Sequence, residues 1–142
     1  MKGLKIITAI WVMFLIITPI TAQPNLEAAK SKASSENKKV LLYFSGSDWC
    51  APCMKFKKTF IQDETFKSFA DAHLVIVNAD FPRKKENKLS KELTEQNEML
   101  AEKYNPNGSF PLILLLDSSG KVLKKWEGNP NVSVDEFIKA LQ

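Results

Sequence analysis

Apolar residues recur along this chain in two patterns, and each predicts a different element. "VLLYF" (40–44), "LVIVNA" (74–79) and "PLILLLD" (111–117) are almost continuously apolar, as strands buried on both faces are. "KVLKKWEG" (121–128) alternates instead, with Val122, Lys124 and Trp126 on one face, as at a sheet edge. Between the runs the spacing changes to three and four, the period of a helix with one buried face. Leu26, Ala29 and Ala33 mark such a face within 25–39, and Cys53, Phe56 and Phe60 mark another behind Pro52. Asp63 is placed to cap a short helix carrying Phe66, Phe69 and Ala70. A longer helix aligns Leu89, Leu93, Leu100 and Tyr104 and stops at "NPNG" (105–108). "SVDE" (133–136) is a capping box that opens a last helix with Val134, Phe137 and Leu141 inward. Strand–helix–strand requires a parallel pair, whereas the short "DSSGK" link makes the last two strands antiparallel. The order therefore predicts an α/β domain with a mixed sheet and helices on both faces.

The first residues stand apart from that domain. "MKGLKIITAIWVMFLIITPITAQ" has Lys2 and Lys5, an apolar run from Ile6 to Ile17, then Pro19 and small residues to Ala22. This is the pattern of a secretory signal peptide, residues 1–22, cleaved after Ala22 to leave a domain of 23–142. The run falls short of the ~20 residues that a spanning helix needs, which argues against a permanent anchor. Export implies a periplasmic or secreted location. The net charge of +4 less the two leader lysines is +2. So small an excess points to neither nucleic acid nor a strongly anionic surface as partner.

"SGSDWCAPCMKF" (45–56) holds both cysteines of the chain, Cys50 and Cys53, where a strand becomes a helix. Three uses compete: a structural disulfide, half of a metal site, or a redox centre. Zinc takes four ligands, and beyond these thiols only His73 offers a soft or imidazole donor, so no metal is expected. A staple across so short a loop restrains little of the unfolded chain. A domain of this size also buries a core without one. The redox reading is the most economical. Pro52 suits the first turn of a helix, which puts Cys50 at its entrance. Free N–H groups there stabilise an anion by about 0.3–1 kcal/mol, up to about 2 when partly buried. That is enough to bring a thiol from about 8.5 towards about 7. Cys53, one turn further in, is expected to face the core with Phe56 and Phe60. An open Cys50 would attack a disulfide, and a shielded Cys53 would resolve the mixed disulfide.

These residues carry a family resemblance. "DWCAPC" after a buried strand resembles the active-site segment of the thioredoxin family, Trp-Cys-x-Pro-Cys after the central strand. The resemblance covers about residues 38 to 142. "GSFPLILLLD" is similar to the segment that holds that family's cis-proline, which implies a cis bond before Pro111 and Pro111 packed against the cysteines. The series "CMKFKKTFIQDETF…LVIVNADF…LAEKYNPNGSFPLILLLDSSGKVL" is more similar to one branch. That branch includes the periplasmic C-terminal domain of the bacterial thiol:disulfide interchange reductase and related secreted proteins. The resemblance implies a thioredoxin-like fold of four to five strands. Its catalytic pair would be Cys50 and Cys53, supported by Trp49, Pro52, Phe110 and Pro111. No cofactor is implied, and the partners would be protein thiols and disulfides together with a membrane electron donor. Ala51-Pro52, similar to the Gly-Pro pair of thioredoxins, implies a reductant. The alternatives are an oxidase or isomerase, and a binding module that keeps the disulfide as a staple.

Two departures from the family pattern stand out. Thioredoxins carry a buried Asp in the strand before the cysteines, and here Tyr43 or Phe44 takes that place. Phe110 is bulkier than the Thr, Val or Ile usual before the cis-proline, which should reshape the substrate groove. Asp48 is expected at the surface without a proton-relay role. His73 reads as a surface residue at a strand start, and Lys55, Lys57 and Lys58 as a solvated helix face. Trp49 either shields the sulfurs or lies on a rim, and Tyr104 and Trp126 read as packing.

Overall fold

Side chains alternate across a strand, so a strand buried on both sides must serve two cores, and the sheet of this protein does so. The computed structural model describes residues 25–142. The expected leader and its cleavage point lie outside the described residues. The elements run α1 (Leu26–Glu36), β1 (Lys39–Ser45), α2 (Ala51–Phe56), α3 (Glu64–His73), β2 (Leu74–Asp80), α4 (Lys91–Tyr104), β3 (Leu112–Leu116), β4 (Val122–Glu127) and α5 (Val134–Leu141). A π-helical segment, Lys57–Ile61, continues α2, and a 3-10 turn, Lys85–Asn87, interrupts the loop after β2. The strands lie in the order β2-β1-β3-β4. β1 and β2 are parallel, and β3 is antiparallel to both β1 and β4. The mixed sheet is thus as the sequence pattern requires, with four strands among the described residues. This is the arrangement that the family resemblance implies.

Val40, Leu42 and Phe44 of β1, with Leu112, Leu114 and Leu116 of β3, pack on one side against α1 and α4. Leu41 and Tyr43, with Ile113 and Leu115, pack on the other against α2, α3 and α5. Phe137 anchors this second core, with ring centroids 4.7 Å from Phe60, 5.2 Å from Trp126, 5.9 Å from Phe66 and 6.1 Å from Phe56. Burying one such side chain contributes about 1.5–3 kcal/mol. Each aromatic pair adds about 0.5–1.5 kcal/mol. The cluster therefore fixes α5 and α2 on the same sheet face.

Helix ends follow local chemistry. Asn25, Asp63, Ser90 and Ser133 each accept an N–H of the first turn of the following helix, and Ser133 and Glu136 form the expected capping box. At the far end of α5, Lys39 donates to the carbonyls of Leu141 (3.1 Å) and Gln142 (2.7 Å), and Lys124 donates to that of Ala140. Cations at a helix C-terminus satisfy carbonyls left without intrahelical partners.

Three sequence expectations need correction. β2 is an edge strand, so it is not buried on both faces: Val75, Val77 and Ala79 are buried, while Ile76, Asn78 and Asp80 are half-buried. Leu89 lies outside α4, because Ser90 is the cap, and the buried stripe passes through Asn97 to Leu100. Asn97 is tolerated there because its Nδ2 donates to the Asp80 carbonyl at 2.8 Å. His73 closes α3 and does not open β2; it is exposed and lies against Phe69 of its own helix.

Candidate active site

The helix that follows β1 begins with sulfur as its cap. Cys50 is the N-cap of α2, with φ −95° and ψ 94°, and its Sγ accepts the backbone N–H of Cys53 at 3.2 Å. Pro52 occupies the first turn, where a residue without an N–H costs no hydrogen bond. Cys50 and Cys53 are joined by a disulfide with S–S 2.03 Å and Cα–Cα 5.2 Å. Cys50 is 4% exposed and Cys53 3%. The expectation of an open Cys50 beside a shielded Cys53 does not hold in this oxidised state, because the bond draws the first sulfur onto the helix turn of the second. Position on the helix separates the two thiols; exposure does not.

Cys53 is also less deeply set in apolar packing than its stripe implies. Phe56 and Phe60 belong to the second core, but Cys53 borders a cleft of about 250 Å³ whose walls are partly polar. Tyr43, Ser45, Lys57 and Asn78 contribute to those walls. The cleft exists because β2 is an edge strand whose half-open face places Asn78 opposite Tyr43 and Asp80 opposite Ser45. The Ser45 hydroxyl lies 2.8 Å from Asn78 Oδ1 and 3.0 Å from Asp80 Oδ1, able to donate to one at a time. The register also decides between the two candidates for the missing carboxylate. Tyr43 faces the cleft, whereas Phe44 points to the opposite core and stacks on Phe81. Burial, and secondarily the charge of Asp80, pushes the Tyr43 hydroxyl up to about 12. It remains a neutral donor near neutral pH.

The two residues before Cys50 hold the loop that follows β2. Asp48 accepts the backbone N–H groups of Arg83 (2.9 Å) and Lys84 (2.9 Å) and the Asn87 amide (3.0 Å). These bonds, the one from Arg83 first, hold its carboxyl at about 2. Trp49 Nε1 donates to the Phe81 carbonyl at 2.7 Å, and the Arg83 guanidinium lies 3.8 Å from the centre of the indole. The indole covers Gly46 so closely that a Cβ there would fall 2.2 Å from the ring. Any other residue at position 46 must displace Trp49. Phe110 presents its ring between Trp49 (5.3 Å) and Phe81 (5.6 Å).

The expected site residues are brought together in part by contacts that the sequence does not announce. The Phe110–Pro111 bond is cis. Gly128, just after β4, donates its N–H to the Pro111 carbonyl at 2.8 Å, and the neighbouring Asn129 donates Nδ2 to the Pro52 carbonyl at 3.0 Å. One loop thus ties the cis-proline segment to the start of α2. Asp48 joins these as a missed structural residue: it is surface-placed as expected, but it organises a loop and is not idle. Asn78 and Asp80 had a readable signal, two polar residues at a spacing of two in an apolar strand, which marks one face as wet. Asn129 had none. Among the described residues no cluster of His, Cys, Asp or Glu could hold a metal ion, and no helix is long and apolar enough to cross a membrane.

Comparison with known proteins places this geometry in context. The sequence profile of a family described as thioredoxin-like matches residues 21–118. The disulfide bond reductase DsbH of Chlamydia pneumoniae is 35% identical over 102 residues, which is 72% of this chain and 60% of that protein. The chain thus spans about three fifths of that relative's length. A solved structure of a DsbH oxidoreductase superposes with a TM-score of 0.70 at 32% identity, covering 80% of this chain and 79% of the other. The oxidised C-terminal domain of DsbD from Neisseria meningitidis shares the fold, with a TM-score of 0.55 at 19% identity over 80% of this chain and 86% of the other.

Proposed function

The chain belongs to the thioredoxin-like family, and from that premise we propose that it is a thiol–disulfide oxidoreductase that reduces protein disulfides outside the cytoplasm. The observation that carries the reading is the sulfur cap. Cys50 Sγ accepts the Cys53 N–H at the start of α2, where a thiolate gains both a hydrogen bond and the positive end of the helix. The same sequence position in a passive staple would need no such donor.

The reaction starts from the dithiol. The Cys50 thiolate attacks one sulfur of a substrate disulfide; that S–S bond breaks, and the other substrate sulfur leaves as a thiolate and takes a proton. Cys53 then loses its proton and attacks Cys50 Sγ, which releases the second substrate thiol and closes the Cys50–Cys53 disulfide. Two electrons and two protons pass to the substrate. In place of the carboxylate that Tyr43 replaces, water entering the cleft beside Cys53 would accept that proton. Trp49, Pro52, Phe110 and Pro111 support the site. A second dithiol must return the electrons, and a membrane protein with a dithiol domain on the outer side fits that task. The name of the Chlamydia pneumoniae relative, a disulfide bond reductase, supports the direction.

Insulin reduction by the dithiothreitol-coupled protein tests the assignment. The parent should accelerate precipitation, and Cys50→Ser should abolish it. Cys53→Ser should stall after attack and accumulate a mixed disulfide through Cys50. Mixed disulfides that form through Cys53 in the Cys50→Ser variant, but not the reverse, would overturn the order of the two thiols.

A further inference from the structure

The loop between β2 and α4 is a basic stretch near the redox pair, and the reaction above leaves it unused. It reads "FPRKKENKLS" (81–90). With α4 it borders a cleft of about 370 Å³ whose apolar wall comes from Phe81, Pro82 and Leu89. Arg83, Lys84, Lys85 and Lys88 supply the cationic wall. None of these four takes part in an ion pair among the described residues. Two acids also border the cleft. Asp80 is occupied by Ser45 and by the Ser47 backbone and hydroxyl groups, while Glu98 projects from α4 on the opposite wall. Cations therefore predominate along the loop side of the cleft, although the loop also carries Glu86 and rests on the Asp48 carboxylate, and Glu98 adds a negative charge on the helix.

This surface is both ordered and joined to the redox centre. Asp48 pins the loop through three hydrogen bonds to Arg83, Lys84 and Asn87. Trp49, next to Cys50 in sequence, holds the loop's first carbonyl and carries the Arg83 guanidinium on its face. The chain as a whole has a small net charge of +4, so four cations within six positions, offset only by Glu86, are a local concentration.

We propose that this cleft is a docking subsite for an extended acidic segment of the substrate protein, lying beside the disulfide that Cys50 attacks. The proposal rests on the reductase reading for its substrate, but the binding surface itself does not depend on turnover. The acidic side chains would meet Lys84, Lys85 and Lys88 on the loop side, and an apolar residue between them would meet Phe81, Pro82 and Leu89. Glu98 sets the polarity, since a carboxylate running along α4 would be repelled. Exposed ion pairs are individually weak, so discrimination needs several at once and must fall as salt screens them.

Two fluorescein-labelled peptides with the same apolar centre, one flanked by Asp and Glu and one by Gln, provide the test. Their binding to the oxidised protein is read by anisotropy at low and high salt. The acidic peptide should bind about five- to tenfold more tightly, as expected for a few exposed pairs acting together. Salt should erase the difference, and Lys85→Glu/Lys88→Glu should abolish or invert it. Circular dichroism of that double variant checks that it folds. Equal binding of both peptides by the parent overturns the proposal even if insulin reduction succeeds. Preferential acidic binding upholds it even if insulin reduction fails. Phosphatidylglycerol vesicles form a third arm: vesicle binding without peptide preference would assign the patch to a membrane and overturn the peptide reading.

Discussion

Tyr43 occupies the place where the resemblance puts a buried Asp, and its surroundings show what that exchange does. The ring packs on Phe56 at 5.5 Å, and the hydroxyl, pushed up to about 12, cannot take a proton from Cys53 near neutral pH. Resolution of the mixed disulfide should then be limited by proton transfer to water, while the first attack by Cys50 is unaffected. Tyr43→Asp should raise the single-turnover rate of mixed-disulfide decay by about tenfold or more, since a positioned base commonly contributes 10²-fold or more. Phe44→Asp should not, because position 44 faces the other core. Both variants should lose stability, as each puts an ionisable group into an apolar strand. A rate unchanged by Tyr43→Asp in a folded protein would mean that another group already serves as the base. From the sequence, either residue was a candidate, because a strand's period of two cannot be phased without knowing which face the helix covers. The pairing of Tyr43 with Asn78 supplies that phase.

At the scale of elements, the loop after β2 is held by a carboxylate rather than by a core. Asp48 has its carboxyl lowered to about 2 from the ordinary value of 3.8. A group whose folded value is depressed stabilises the folded arrangement above its unfolded value and loses that contribution as pH falls through the folded one. The loop should therefore stay docked above about pH 4 and release between about pH 4 and 2. Release removes the Phe81 carbonyl and the Arg83 guanidinium from Trp49, so indole emission reports it in a Trp126→Phe variant of residues 23–142, in which Trp49 is the one tryptophan left. Asp48→Asn should shift the released spectrum to neutral pH and flatten the acid transition. An acid transition of the same midpoint and size in both proteins would contradict the assignment. In sequence this loop shows only its charges, since bonds from Asp48 to residues 35 to 39 positions away leave no local periodicity. The helices and strands were legible because their signals are local: Asp63 and Ser133 are caps, and 40–44 and 111–117 are apolar on both faces. β2 differs from these only in Asn78 and Asp80, which mark the wet end of one face, and its edge position depends on which strands flank it. Asn97 broke the apparent stripe of α4 because its polar side chain is satisfied by a carbonyl in another element.

For the whole molecule, the fold brings together segments that lie far apart in sequence. The end of β1 and the start of α2 supply the cysteines, the residues before β3 supply the cis-proline, and the loop after β4 binds both prolines through Gly128 and Asn129. The cysteine pair can be picked out in the sequence because its motif is contiguous, and Pro111 only through the family resemblance; the bond between Asn129 and Pro52, 77 positions apart, cannot. What this assembly does is set by the relative stability of its dithiol and its disulfide. A thiolate capped by one N–H, with Ala51 and Pro52 between the cysteines and no His there, should be stabilised only moderately, which keeps the dithiol a good electron donor. The equilibrium potential of the Cys50–Cys53 couple, measured against dithiothreitol and glutathione buffers, tests that claim most directly. A reductase requires a value near the thioredoxin range, about −270 mV, whereas a value near about −120 mV would make the pair an oxidant and contradict the account.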